Sequence, residues 1–393
     1  ITYIERSHNE EKHNPESGQT EEKHSIELEK LITKLSADKN SKVQRYADLG
    51  KAYQSYFELM EEFKALSLQG NFPERLDKLI SFSKEKRLKE ITGKLYLFKA
   101  QYYSRFKNDY RKAIVNNQSS IEFAIESRDT LTLTSAYNGI ALNYTELGIN
   151  DKAIEFFHNS LKLQKDPMQQ YTTYVTIGDL YRLMHQYDKS LVCLHQAETV
   201  RRENDLDSLF QTNLHLKFTA VYTAKKDFDK ALEHIRQAEV INSPMFVGRV
   251  YYTKGQLYYQ QGDFELAIRE FEKSLDFQKK NKFSGRDIQL LNALGKSYYQ
   301  LDSVRRNGRT EIETSRSNVF DSRNLIQISK SYFLNSYELL PTTQIKENKR
   351  EVYKALKKIY LTESNYKKAF EMAELEREIT DSINNFETKA RFI

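Results

Sequence analysis

The 393-residue chain has no tryptophan, one cysteine and five prolines. A lone thiol, Cys193, rules out an internal disulfide framework and any Cys-rich zinc site. It does not reveal the compartment, because exported proteins also occur without disulfides. Basic residues exceed acidic ones by only six charges over 46.4 kDa, far from the clustered basic face that phosphate neutralisation needs, so nucleic acid is not an expected partner. No window approaches the ~18 apolar residues of a membrane span, and the mean hydropathy is −0.72.

Signatures of chemistry are equally scarce. There is no Gly-x-Gly-x-x-Gly, no phosphate loop ending in Gly-Lys-Ser/Thr, and no His-Glu-x-x-His. His8, His13 and His24 fall in a polar leader, His185 at a turn between helices, and His195 and His234 on second helices without carboxylate or thiol partners at helical spacing. Cys193, inside Leu191-Val192-Cys193-Leu194, reads as a small hydrophobe. No catalytic residue, cofactor or metal is expected.

What the sequence has is repetition. Residues 1–25 are almost wholly polar and are expected to form a mobile leader. From Ile26, apolar residues recur at three- and four-residue steps (Leu28, Leu31, Ile32, Leu35), which predicts helix. One block runs Tyr137, Ile140, Ala141, Tyr144, Gly148, Ala153, Phe157, Ser160. Another runs Tyr251, Gly255, Tyr258, Gly262, Ala267, Phe271, Ser274, and the two superimpose without gaps. Between them lie Tyr174, Gly178, Tyr181, Tyr187, Ser190, Leu194, Ala197 and then His215, Thr219, Tyr222, Phe228, Ala231, Ile235, Ala238 in the same frame. Ala141, Gly178, Thr219 and Gly255 are small where a first helix must approach its partner, and Ala153, Ser190, Ala231 and Ala267 mark the reciprocal point. Tyr144, Tyr181, Tyr222 and Tyr258 are expected to fill space between units and to reach a partner with the phenolic hydroxyl.

This pattern resembles the tetratricopeptide repeat family. The resemblance implies an all-α, right-handed superhelical solenoid of antiparallel helix pairs, about eight here, with a concave groove. The spacing of the second-helix markers exceeds the ~34 residues of the standard unit. Pro167, Pro244 and Pro341 follow second helices, where a residue that cannot continue a helix ends it. The frame divides the chain into degenerate pairs at 26–133, well-formed units at 134–300 and closing units at 325–393. Ser329 comes much later after Gly295 than Ala267 does after Gly255, so an insertion loop is expected over 301–324, solvated and nearly balanced in charge.

In this register the groove is lined by Asn138, Thr145, Asp179, Arg182, Lys217, Arg249, Tyr252, Gln256, Tyr259, Asn292, Lys296 and Tyr299. Arg and Tyr are enriched at interface hot spots, and amide and ammonium donors suit a peptide backbone or carboxylate. A solvated concave face is polar in any solenoid, so this reading and mere solvation stay open together. Family members that clamp chaperone tails use a Lys/Asn/Arg set on adjacent first helices. Here Val175 stands one unit after Asn138, which disfavours that ligand.

The segment from Tyr366 to Lys389 is similar to the end of the repeat region in membrane-anchored signalling proteins of Bacteroidetes-type bacteria, where a coiled coil, a membrane helix and a histidine kinase or helix-turn-helix domain commonly follow. Both ends of the chain are expected to be cuts in a longer protein. The resemblance implies a non-enzymatic, protein- or peptide-binding sensor region outside the cytoplasmic membrane, with dimerisation through the last helix as a further expectation. A freestanding cytoplasmic scaffold and a peptide-responsive regulator of the quorum-sensing receptor type remain alternatives.

Overall fold

The computed structural model describes residues 29–38, 40–65, 71–281, 287–307, 324–342 and 346–390. The expected leader lies outside the described residues, and so does 308–323 of the expected insertion. Among the described residues there are helices and turns and no strand. By compactness the chain divides between Leu163 and Gln164, inside the stretch of well-formed repeats.

The first unit holds a helical stretch at 29–36 and six longer helices: α1 (Ser41–Lys64), α2 (Phe72–Glu85), α3 (Lys89–Phe106), α4 (Tyr110–Ser127), α5 (Thr130–Glu146) and α6 (Asn150–Leu161). The second holds α7 (Pro167–Leu183), α8 (Tyr187–Glu203), α9 (Ser208–Ala224), α10 (Phe228–Ile241), α11 (Val247–Gln261), α12 (Phe264–Asn281), α13 (Asp287–Asn307), α14 (Leu325–Glu338), α15 (Lys346–Thr362) and α16 (Tyr366–Ala390). Consecutive helices pack as pairs from α3·α4 through α15·α16, and the looser α1 and α2 precede them.

Local chemistry sets the helix ends. The side chains of Asp109, Asp129, Asp166, Asp207 and Asp227 accept from the N–H groups of Lys112, Thr132, Met168, Leu209 and Lys230. Each such cap is worth about 1 kcal/mol. The turn from first to second helix passes through a left-handed residue: Asn108, Gly148, His185, Lys226, Gly262 or Ser364. Only two of the six are glycine, so the others carry a backbone cost of about 1 kcal/mol or more.

The seam within each pair follows the small-residue register. A Cβ on Gly255 would stand 2.6 Å from Phe271 Cδ1, and one on Gly295 2.8 Å from Phe333 Cε2. Buried serines on second helices donate to first-helix carbonyls: Ser190 to Gly178 O at 2.7 Å, Ser329 to Gly295 O at 2.7 Å, Ser274 to Gly248 O at 2.8 Å and Ser120 to Gly93 O at 2.8 Å. A helix carbonyl retains a lone pair after its own helical bond, but a hydroxyl of the neighbouring helix reaches it only where the backbones approach closely.

One sequence expectation is extended and another corrected. Three of the repeated tyrosines carry on their faces lysines of the following helix. Lys152 lies over Tyr144, Lys189 over Tyr181 and Lys230 over Tyr222 at 5.2, 5.5 and 5.4 Å from the ring centroids. The same pair recurs outside the four clearest repeats, at Tyr103 with Lys112 and at Tyr360 with Lys368. The insertion also starts later than expected. Helix α13 runs to Asn307, because Leu301 is buried and Arg305 reaches Glu265 at 2.7 Å, giving the extra turns something to pack on.

The degenerate N-terminal pairs use aromatic rings as filler. Phe63 meets Phe98 and Phe106 at centroid distances of 5.0 and 4.9 Å, and Phe72 meets Tyr102 at 5.3 Å. Edge and tilted ring contacts fill a seam whose small-residue spacing has slipped.

Candidate binding groove

In the second unit the first helices of five successive pairs, α7, α9, α11, α13 and α15, surround one space. A cavity of about 730 Å³ is bordered by Arg182 and His185 at the end of α7, Thr223 and Lys226 at the end of α9, Tyr252, Gln256 and Tyr259 on α11, Gln289 and Lys296 on α13, and Glu347 and Glu351 on α15. It adjoins a second of about 570 Å³ bordered by Tyr259, Lys296, Tyr299, Gln300, Arg350, Lys354, Lys358 and Glu376. Tyr259, Lys296, Glu347 and Glu351 border both, so the two are parts of one groove. Each volume lies within the ~300–1,000 Å³ typical of ligand sites.

Of the residues nominated from sequence, Arg182, Tyr252, Gln256, Tyr259, Lys296 and Tyr299 border this groove. The others stand elsewhere. Asp179 and Lys217 form an ion pair between α7 and α9, and Arg182 approaches the same carboxylate only at 3.6 Å. Arg249 lies over the Phe246 ring, 4.8 Å from its centroid. Asn292 is a correction: it is 2% exposed, and its carbonyl oxygen accepts from Ser336 inside the α13–α14 seam, so it belongs to the packing of the pair. Asn138 and Thr145 sit on α5 of the first unit, where Thr145 Oγ1 donates back to Ala141 O at 3.0 Å.

The groove floor is a hydrogen-bonded polar surface. Gln256 Nε2 donates to Tyr252 Oη at 2.9 Å. Burial pushes the Tyr259 phenol above its ordinary value, against a Gln300 hydrogen bond that lowers it, so this hydroxyl stays protonated. Lys296, expected as a ligand donor, already pairs with Glu351 at 2.8 Å. Glu347 pairs with Arg350 at 2.6 Å, and Glu376 with Lys357.

Sequence reasoning missed Lys354 and Lys358. The signal was available: counted back from the terminal tyrosine of each first helix, Lys354 and Lys358 take the places of Tyr252 and Gln256 when Tyr360 is matched to Tyr258. Glu351 carried it too, standing at the place of Arg249, whereas Glu347 and Lys226 matched no nominated position and border the groove only in the folded chain.

The histidines are less scattered in space than in sequence. His215 Nδ1 and His234 Nδ1 are 3.1 Å apart, and the His234 ring stacks on Phe218 at 4.7 Å and Tyr222 at 5.5 Å. His195 lies against the same Phe218, 5.1 Å between centroids. Desolvation, reinforced by His215 and His195, lowers the His234 pKa to about 4. Burial likewise raises the Cys193 thiol to about 11. Among the described residues no three His, Cys, Asp or Glu side chains are grouped to hold a metal, and no helix is long and apolar enough to cross a membrane.

Comparison with known proteins agrees with this architecture. Residues 248–281, which span most of α11 and α12, match the family model described as Tetratricopeptide repeat. No curated protein sequence matches the chain. Among solved structures, the apo form of RapI is similar at 14% identity with a TM-score of 0.52, covering 75% of this chain and 99% of that one. A tetratricopeptide repeat protein from Parabacteroides merdae is similar at 16% identity and a TM-score of 0.52, covering 77% and 99%. Yeast Tom70 is similar at 13% identity and a TM-score of 0.51, covering 92% and 78%. At these identities the likeness is one of fold.

Proposed function

We infer that this chain, a tetratricopeptide-repeat solenoid, is a non-enzymatic module that holds a protein or peptide segment in the groove of its second unit, as the extracytoplasmic sensor region of a bacterial signalling protein. One observation carries the binding part: five first helices present tyrosines, glutamines and charged side chains to a single continuous space. Tyr252, Tyr259 and Tyr299 supply rigid amphipathic area at small entropic cost, and Gln256, Gln289 and Gln300 supply amides that match a peptide backbone. The sensor role and the location rest on the likeness of the segment after Tyr366 to the repeat ends of such signalling proteins.

The test of binding is a pull-down from the native cell with the wild-type chain and with Tyr252→Ala/Tyr259→Ala. Truncating two anchors of this kind costs ~2 kcal/mol each, which with incomplete additivity means loss of at least about a hundredfold in affinity. Identical partners captured by both proteins at equal yield refute the groove. Location is tested separately, by protease accessibility in intact spheroplasts. Protection of the chain there favours the cytoplasmic scaffold.

A further inference from the structure

Charges around the groove are not balanced in the way the near-neutral sequence suggests. Every carboxylate that borders it is already engaged within the chain: Glu351 by Lys296, Glu347 by Arg350 and Glu376 by Lys357. The cations divide differently. Lys354 and Lys358, one turn apart on α15, border the groove with no acidic partner among the described residues, and so does Lys226 at the end of α9. Arg182 is nearly in the same position. The one carboxylate near it, Asp179, is shared: Lys217 holds one oxygen, and Arg182 Nε stands 3.6 Å from the other, too far for a hydrogen bond. The Arg182 side chain is 29% exposed, so its guanidinium can meet an incoming acceptor while a single carboxylate serves both it and Lys217.

The unmatched charge is therefore placed at two ends. Arg182 and Lys226 stand at the α7–α9 end, Lys354 and Lys358 at the α15 end, and the floor between them is Tyr252, Gln256, Tyr259 and Gln300. We propose that the groove selects an extended acidic peptide segment, one carrying carboxylates near both of its ends and uncharged residues between. Three cations without an acidic partner, together with an Arg182 that shares Asp179 with Lys217, favour negative charge, and a floor of amides and phenols beside the neutralised Lys296–Glu351 pair favours a polypeptide backbone over a continuous polyphosphate. This rests on the groove being the peptide site, as inferred above, and adds the charge class of what enters it.

The experiment uses fluorescence anisotropy of the full chain with three labelled random peptide pools of one length: one rich in Asp and Glu, one with Asn and Gln in their place, one rich in Lys. A labelled single-stranded RNA is the fourth probe. The acidic pool is expected to bind at least about tenfold more tightly than its amide counterpart, a difference of one well-placed charge contact, and to weaken as salt rises. Lys354→Gln/Lys358→Gln and, separately, Arg182→Gln are each expected to weaken the acidic pool by about tenfold while leaving helicity and the amide pool unchanged. Lys354→Glu/Lys358→Glu is expected to reduce acidic binding further and to raise that of the Lys-rich pool. Equal binding of acidic and amide pools, both abolished by Tyr252→Ala/Tyr259→Ala, overturns the charge assignment and leaves the groove as a peptide site. RNA binding as tight as that of the acidic pool, with the same dependence on Lys354 and Lys358, overturns the peptide. Binding of no pool removes the inference, while the groove itself is then judged on the native pull-down.

Discussion

Gly255 is where the register of the repeats can be tested against energy. Replacing it with alanine in the middle of α11 should by propensity alone stabilise the helix by about 1 kcal/mol. The structure predicts the opposite. The new methyl would stand 2.6 and 2.7 Å from Phe271 Cδ1 and Cε1, whereas carbon atoms pack comfortably at about 3.5–4.0 Å. Phe271 is 1% exposed, packed in one cluster with Leu290 and Leu294 and with the Tyr252 ring 5.6 Å away, so it cannot swing aside without displacing the next pair. Overpacking of this kind costs ~1–3 kcal/mol, which after the propensity gain leaves Gly255→Ala destabilised by roughly 0–2 kcal/mol. Gly255→Leu gains nearly the same propensity but brings three further carbons into the same contact, and should lose about 3 kcal/mol or more. Urea unfolding followed by circular dichroism measures both, and hydrogen exchange over α11 and α12 shows where the loss falls. Phe271→Leu should partly rescue the alanine variant, with the double variant more stable than the sum of the singles by about 1 kcal/mol. An alanine variant that gains the full propensity increment, with no coupling to Phe271, refutes the close approach of α11 and α12.

Other expectations follow from backbone and titration. Ser364 holds the left-handed turn between α15 and α16 at φ 55°, so Ser364→Gly should raise stability by about 0.5–1 kcal/mol in the same unfolding assay. His234, neutral in the fold down to pH about 4, binds a proton in the unfolded chain near pH 6.5, so the unfolded state takes up more protons across that window. Stability should therefore fall as pH is lowered from 6.5 towards 4, and His234→Phe, which keeps the stack on Phe218, should flatten that slope; an unchanged slope counts against the buried imidazole. Cys193, buried on α8 with its thiol raised to about 11, should react with a thiol reagent at pH 8 at least about a hundredfold more slowly than an unfolded cysteine, and normally once urea unfolds the chain.

The sequence by itself determined the pairs and their seams. Ala141, Gly178, Thr219 and Gly255 were readable because packing of two helices over a short connection is local: the required residue size repeats at a fixed distance along the chain. It also carried much of the groove, since Tyr252, Gln256, Tyr259 and Tyr299 stand at nominated first-helix positions and border it. Only the tertiary structure decided the rest. Asn292 shares the register position of Tyr252 yet turns inward, because the seam beside it offers Ser336 as a partner. Lys296 looked like a free donor until the curvature of the second unit brought Glu351 within 2.8 Å, from a helix far along the chain. His195, His215 and His234 lie on three different helices; His195 and His234 meet at Phe218, and His215 meets His234, only because those helices stack. A register records which face a residue occupies, but which charges cancel and which stay unmatched depends on how far the stack curls, and that is a sum over all its interfaces.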